Sequence, residues 1–238
     1  MLVRKVICAL DMSDVEEALA ITRRLSSSVG AFKVGHALSL PNGLSIVDRL
    51  RGAGANRVFL DLKFHDIPNS VALAVREASR YGVWAMTLHV TGGPAMLTAA
   101  VEEARLHGED VAPLLIGVTV LTSIDEHMLS THLGVERPLE QHTADLARMA
   151  MDHGLDGIVC SAQEAAAMRQ TIGHEGVIVC PGIRPAVGES HDQRRTGTAM
   201  QALEDGADYL VIGRALIDSP DAEAALEAMG FEGVKGAG

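Results

Sequence analysis

Eight short runs of aliphatic and β-branched residues recur along the whole 238-residue chain, at 3–10, 31–35, 57–62, 85–90, 114–121, 157–160, 176–180 and 209–212. Stretches with helical periodicity separate them, among them 15–28, 70–81, 95–107, 139–153 and 163–171. This alternation limits the possible folds more than any other feature. Runs that are apolar at nearly every position suit strands buried on both faces, as in a parallel sheet covered by helices. Eight such units in this length predict an α/β fold of the closed (β/α)8 (TIM) barrel type. The rival is an open doubly wound sheet, which usually places a glycine fingerprint after its first strand. Here Leu10-Asp11-Met12-Ser13-Asp14 follows, with no glycine. No linker or low-complexity segment divides the chain. We therefore expect one barrel domain over 1–232 and a mobile glycine-rich tail over 233–238.

Composition narrows the function. Aromatic residues are only 3% of the chain, so aliphatic side chains must build the core and base stacking on aromatic platforms is disfavoured. The formal net charge of −11 makes nucleic acid and anionic membranes poor partners. A small anionic substrate remains compatible if cations are gathered locally. The longest apolar run, 113–121, is too short to span a bilayer. Cys8, Cys160 and Cys180 all lie in apolar runs and lack metal-ligand spacing. They are expected to be buried thiols in a reducing compartment. The first residues lead straight into the first strand without a signal-peptide pattern, so a cytoplasmic location is expected.

Polar residues collect at the C-terminal ends of the expected strands, where barrels of this kind carry their chemistry. The first strand ends at Asp11 and the second carries Lys33. The third carries Asp61 and Lys63, with Asp66 just beyond, and the fourth ends at His89. Thr122 and Ser123 follow the fifth, Ser161 the sixth, Pro181-Gly182-Ile183-Arg184 the seventh and Gly213-Arg214 the eighth. Strand side chains alternate faces, so Asp61 and Lys63 share one face while Leu60 and Leu62 turn toward the helices. Lys63 and Lys33 can supply the cations that let neighbouring carboxylates stay ionised. An alternating network of Asp, Lys, Asp and Lys would keep Lys63 protonated, as a general acid requires. The plainer reading is a structural salt bridge at a strand end.

The loops after strands seven and eight often hold phosphate in such barrels. Here they contain Arg184, Gln193, Arg194, Arg195 and Gly213-Arg214. Glycine lets a backbone N–H approach an anion, and an arginine can grip it with two hydrogen bonds. A solvated basic patch is the alternative, less natural in so acidic a chain. The histidines, including His65 and His89, show no paired metal-ligand spacing, and no metal or cofactor is expected.

The segment Phe59-Leu60-Asp61-Leu62-Lys63-Phe64-His65-Asp66-Ile67-Pro68-Asn69 resembles the signature of the orotidine 5′-phosphate decarboxylase family. The resemblance extends through Leu10-Asp11, Lys33-Val34-Gly35, Val118-Thr119-Val120-Leu121-Thr122-Ser123, Val159-Cys160-Ser161-Ala162-Gln163-Glu164, Pro181-Gly182-Ile183-Arg184-Pro185, Asp192-Gln193-Arg194-Arg195 and Val211-Ile212-Gly213-Arg214. One departure is Ser70, where the family usually has threonine; the hydroxyl is kept. The resemblance implies a cofactor-free decarboxylase of orotidine 5′-monophosphate. In it Lys63 is the proton donor and Asp61 lies against the substrate carboxylate. Asp11 and Lys33 hold the ribose, and Thr122 lies by the pyrimidine. Arg184, Gln193, Gly213 and Arg214 surround the phosphate, with Gln193 on a closing loop. It further implies a homodimer in which Asp66 enters the neighbour's site. The whole stretch Asp61, Leu62, Lys63, Phe64, His65, Asp66, Ile67, Pro68, Asn69 and Ser70 counts as substrate-binding on this reading.

Two other functions fit parts of the pattern. A related barrel family of sugar-phosphate enzymes shares the D-x-K-x-x-D spacing but uses Mg2+ to stabilise an enediolate. A catalytically silent barrel that binds a nucleotide phosphate would be expected to lack Lys63 or Asp61, and both are present.

Overall fold

In the computed structural model, which describes residues 2–108, 111–183 and 198–231, eight parallel strands pair in sequence order and the eighth pairs back to the first. The strands are β1 (Val6–Leu10), β2 (Ala31–Val34), β3 (Val58–Phe64), β4 (Ala85–His89), β5 (Leu114–Val118), β6 (Gly157–Val159), β7 (Val177–Cys180) and β8 (Tyr209–Ile212). The helices between them are α1 (Val15–Leu25), α2 (His36–Asn42), α3 (Ser45–Gly52), α4 (Pro68–Arg80), α5 (Pro94–Arg105), α6 (Glu126–Thr131), α7 (Leu139–Asp152), α8 (Ala165–Ile172) and α9 (Ala199–Glu204); α10 (Arg214–Ile217) and α11 (Ala222–Ala228) follow β8. The expected closed α/β barrel is therefore the fold. The tail 233–238 lies outside the described residues.

Local chemistry explains where the elements begin. The Asp14 carboxylate accepts from the N–H groups of Glu16 and Glu17 and caps α1. Pro68 and Pro94 open α4 and α5, where a missing N–H costs nothing.

Strand limits differ from the sequence reading where a neighbour runs out. Residues 3–5, expected in the first strand, belong to a 3-10 turn (Leu2–Lys5), because β1 pairs with β2 only from Ile7 and with β8 only from Val6. The fifth strand stops at Val118 rather than 121, since β4 offers no partner beyond His89. The sixth ends at Val159, and Ser161 instead caps a short 3-10 turn whose Glu164 carboxylate reaches back to it. The third strand is longer than expected, running on to Phe64.

Two apolar layers result. Ile7, Ala9, Ala31, Phe59, Ala85, Ile116, Val179 and Val211 form one buried cluster inside the barrel, and a larger cluster fills the space between strands and helices. Trp84, just before β4, meets Phe59 edge-on at 6.3 Å between ring centroids and Tyr209 at 4.9 Å. The Arg57 guanidinium lies 5.1 Å from the centre of the Trp84 ring. Trp84, Tyr209 and Arg57 all stand at strand beginnings, so this apolar plug closes the N-terminal end and leaves the C-terminal end for polar groups. The three cysteines are buried free thiols, and burial pushes the Cys8 thiol up to about 12.

Strand spacing is tight where β6 meets β7. A Cβ on Gly157 would stand 2.1 Å from the Val177 carbonyl oxygen, which is backbone and cannot rotate away. Gly157→Ala should therefore push the two strands apart and destabilise the fold by about 1–3 kcal/mol. Urea unfolding would register this, and an unchanged midpoint would contradict the packing described.

Candidate active site

At the C-terminal end of the barrel a carboxylate and two ammonium groups come together. Asp61 shares the inward face of β3 with Phe59. Its Oδ1 is 2.9 Å from the Lys63 Nζ and its Oδ2 is 3.3 Å from the Lys33 Nζ. Lys33, on β2, also donates to Asp11 Oδ1 at 2.9 Å. The four residues make the chain Asp11–Lys33–Asp61–Lys63. Its centre is secluded: the side chains of Asp61 and Lys33 are 12% and 11% exposed, against 65% for Asp11 and 32% for Lys63. The barrel mouth thus contains a fixed negative charge flanked by two cations, with Lys63 the more accessible of the two.

Thr87, fully buried on β4, completes the arrangement. Its hydroxyl donates to Asp61 Oδ1 at 2.9 Å and accepts from the Lys63 backbone N–H, also at 2.9 Å. The sequence reading missed this residue. Its signal was parity: Ala85, Thr87 and His89 alternate on one face of β4, and Ala85 belongs to the inner cluster. A mid-strand threonine is so common that parity alone did not mark it.

Lys63 itself is unusual. It is the one non-glycine residue with positive φ (50°) among the described residues. An L-residue pays roughly 1–2 kcal/mol for this left-handed conformation. The β3–β4 register jumps at the same place, from Leu60↔Met86 to Phe64↔Leu88. Simple alternation, from which Asp61 and Lys63 were expected to share a face, therefore breaks down within the motif. The two side chains still meet, through a local irregularity in place of a regular strand.

Burial opposes charge on both central groups, and their partners outweigh it. Asp61 is penalised by desolvation, yet Lys33, Lys63 and hydrogen bonds from Lys63 and Thr87 hold its carboxyl below the usual range. Lys33 is penalised likewise, yet Asp61 and Asp11 hold its ammonium above the usual range. Burial, then the neighbouring His65 and Lys63, lowers the His89 imidazole. The rings of His65 and His89 lie 5.2 Å apart.

Other residues singled out by sequence are placed as follows. Leu62 and Phe64 face the outer layer and line a groove with His36, Ser39, Leu40, Gly43 and Leu44, so they are not brought to the carboxylate–ammonium chain. Asp66 is exposed and its Oδ1 accepts from the Ile67 N–H at 2.6 Å. His65, Ile67 and Asn69 are exposed between β3 and α4 or in the first turn of α4, with Pro68 at its start and Ser70 half-buried. Thr122 is half-buried in the turn after β5. Gly213 follows β8 and is the N-cap residue of α10, which Arg214 begins. Arg184, Gln193, Arg194 and Arg195 lie outside the described residues. Among the described residues, no group of three His, Cys, Asp or Glu side chains is placed to hold a metal ion.

A family model described as orotidine 5′-phosphate decarboxylase / HUMPS matches residues 4–229. The chain belongs to this family. A curated relative from Nostoc sp. named orotidine 5′-phosphate decarboxylase is 46% identical over 231 residues, covering 96% of each chain. One of the same name from Moorella thermoacetica is 45% identical over 231 residues, 96% of this chain and 91% of its own. The crystal structure of orotidine 5′-phosphate decarboxylase from Lactobacillus acidophilus superimposes with a TM-score of 0.83 at 32% identity, covering 95% of this chain and 97% of that one. Family membership thus covers the barrel and the segment that carries Asp61 and Lys63.

The pKa shifts give the network a pH signature. Asp61 has a depressed pKa in the fold, so its stabilisation is complete above the unfolded value of about 4 and is lost as pH falls through the folded value. Lys33 has a raised pKa, so its stabilisation is complete below about 10.4 and is lost as pH rises through the folded value. Asp61→Asn should therefore cost most between roughly pH 4 and pH 10, about 3 kcal/mol or more if the pair behaves as a buried one. The difference from the parent should shrink on either side. A difference in urea-unfolding free energy that does not vary from pH 2 to pH 7 would contradict an ionised Asp61 at the centre.

Proposed function

We propose that Lys63 is the proton donor of an orotidine 5′-monophosphate decarboxylation carried out without a cofactor. The chain is a carboxy-lyase of the orotidine 5′-phosphate decarboxylase family, converting orotidine 5′-monophosphate to uridine 5′-monophosphate in pyrimidine biosynthesis. The observation that supports the residue-level reading is the ion pair of Lys63 with Asp61, inside a chain of charges at the barrel mouth.

Loss of CO2 from C6 of the pyrimidine leaves an electron pair on an sp2 carbon that no ring position delocalises. Stabilisation must come from fixed charges aimed at C6. The Lys63 ammonium supplies one, then gives its proton to C6, so the product carries a C–H bond where the carboxylate was. Asp61 faces the substrate carboxylate, and their repulsion is relieved as CO2 departs. Asp11 and Lys33 hold the ribose hydroxyls, and Thr122 sits by the pyrimidine. Arg184, Gln193, Gly213 and Arg214 hold the phosphate. That group is remote from C6, so its binding energy can align the base and raise turnover as well as affinity.

Lys63→Ala should lower kcat by at least about 10⁴-fold while the protein stays folded, since it removes both a general acid and a charge at the reacting carbon. The loss of absorbance of orotidine 5′-monophosphate measures this, run with and without a metal chelator. Substantial turnover by the folded variant would remove the proposed role. Activity that returns only with Mg2+ would favour metal-assisted chemistry.

We further propose a cytoplasmic homodimer in which Asp66 completes the neighbour's charge network. Asp66 is exposed and, among the described residues, forms no ion pair or hydrogen bond with the Lys63 or Lys33 of its own chain, and the adjoining Ile67 and the α2 residue Leu40 are large apolar side chains that are 67% and 80% exposed. Two-fold symmetry would make the exchange reciprocal. Mixing Lys63→Ala and Asp66→Ala proteins under subunit exchange should then regenerate activity, because one site of each heterodimer carries neither defect. With random exchange about a quarter of the sites are intact. Demonstrated exchange without recovered activity would place Asp66 in its own chain's site.

A further inference from the structure

The β3–β4 irregularity has a consequence for the proton donor. Between the pairs Leu60↔Met86 and Phe64↔Leu88, β3 contains three residues, Asp61, Leu62 and Lys63, and β4 contains one, Thr87. In a parallel ladder with matched residues, each backbone N–H of β3 that points toward β4 would meet a carbonyl of that strand. Here one residue faces three, so that match is lost. The Lys63 N–H is taken up by the Thr87 hydroxyl in place of a backbone carbonyl. That hydroxyl has one proton, which it gives to Asp61 Oδ1, the same oxygen that accepts from the Lys63 Nζ. The result is a closed ring: Lys63 N–H to Thr87 Oγ1, Thr87 O–H to Asp61 Oδ1, and Lys63 Nζ to Asp61 Oδ1. Both ends of Lys63, its left-handed backbone and its ammonium, are fixed through one buried hydroxyl and one carboxylate oxygen.

We propose that Thr87 is a positioning residue for Lys63, holding the strained Lys63 backbone and the acceptor oxygen of Asp61 in the one arrangement that aims the ammonium into the barrel mouth. It rests on the reading of Lys63 as proton donor. Thr87 reaches the reaction only through Lys63 and Asp61, so its removal should act on turnover. The groups proposed to hold ribose and phosphate stand on other strands, and nucleotide affinity should change little. A backbone held in an unfavourable conformation tends to relax when a hydrogen bond that holds it is removed, and a small displacement of a reacting group is costly to rate.

Thr87→Val keeps shape and β-branching but removes the hydroxyl; Thr87→Ser keeps the hydroxyl. The experiment measures kcat and KM for orotidine 5′-monophosphate and amide hydrogen exchange of the segment containing Lys63. Thr87→Val should lower kcat by about 10²-fold with KM within a few-fold of the parent, and the Lys63 amide should exchange faster. Thr87→Ser should restore kcat to within a few-fold and restore protection. Parental kcat in Thr87→Val, a loss confined to KM, or a serine variant as slow as the valine one would each overturn the proposal. If the valine protein does not fold, Thr87→Ala, which fits wherever threonine does, takes its place with the same criteria. An active Lys63→Ala protein would instead defeat the proton-donor reading; an inactive Lys63→Ala beside a parental Thr87→Val defeats this inference alone.

Discussion

A buried carboxylate held between two ammonium groups is the interaction on which the site depends. Asp61 could not stay ionised at 12% exposure without Lys33 and Lys63 beside it, and Lys33 could not stay charged at 11% exposure without Asp61 and Asp11. Each charge is the condition for the next. This explains why the polar residues come from neighbouring strands. Asp11, Lys33 and Asp61 follow from β1, β2 and β3, and Thr87 comes from β4, so adjacent strand ends bring the groups within hydrogen-bond reach.

The barrel makes this possible by keeping its two ends chemically distinct. Phe59, Trp84 and Tyr209 pack at the strand beginnings, while the strand ends carry the ion pairs. On β3 the change occurs in two residues along one inward face, from Phe59 in the apolar cluster to Asp61 in the network. The apolar layer beneath the charges leaves Asp61 little water to draw on and so makes its cationic partners obligatory.

Much of this was legible in the sequence because it depends on patterns of period two. Doubly buried strands read as continuous apolar runs, and eight of them separated by helical stretches specify closure. The identities of Asp11, Lys33, Asp61 and Lys63 followed from their positions at strand ends. What escaped were features set by partners. The 3-10 turn over Leu2–Lys5 and the early end of β5 depend on where neighbouring strands stop. Leu62 and Phe64, grouped with the site because they lie inside the motif, face the outer layer. The role of Thr87 depends on a register shift that neither strand reveals alone.

That register shift also changes how the motif should be read. In a regular strand, residues two apart stand about 6.6–7 Å apart along the axis and point the same way, so Asp61 and Lys63 would be parallel neighbours with similar access to the barrel. In the irregular segment Lys63 turns into the left-handed region and Asp61 stays with the inward face. The Asp61 side chain is kept secluded, while the Lys63 side chain that pairs with it is nearly three times as exposed, 32% against 12%. The proposed donor role calls for that asymmetry: the partner must be shielded enough to hold the charge strongly, and the donor must itself be open to the substrate. Regular geometry would give both residues the same environment. The strained backbone at Lys63 is therefore the structural feature that accompanies the different environments of two residues on one strand, and the proposed division of roles between them rests on it.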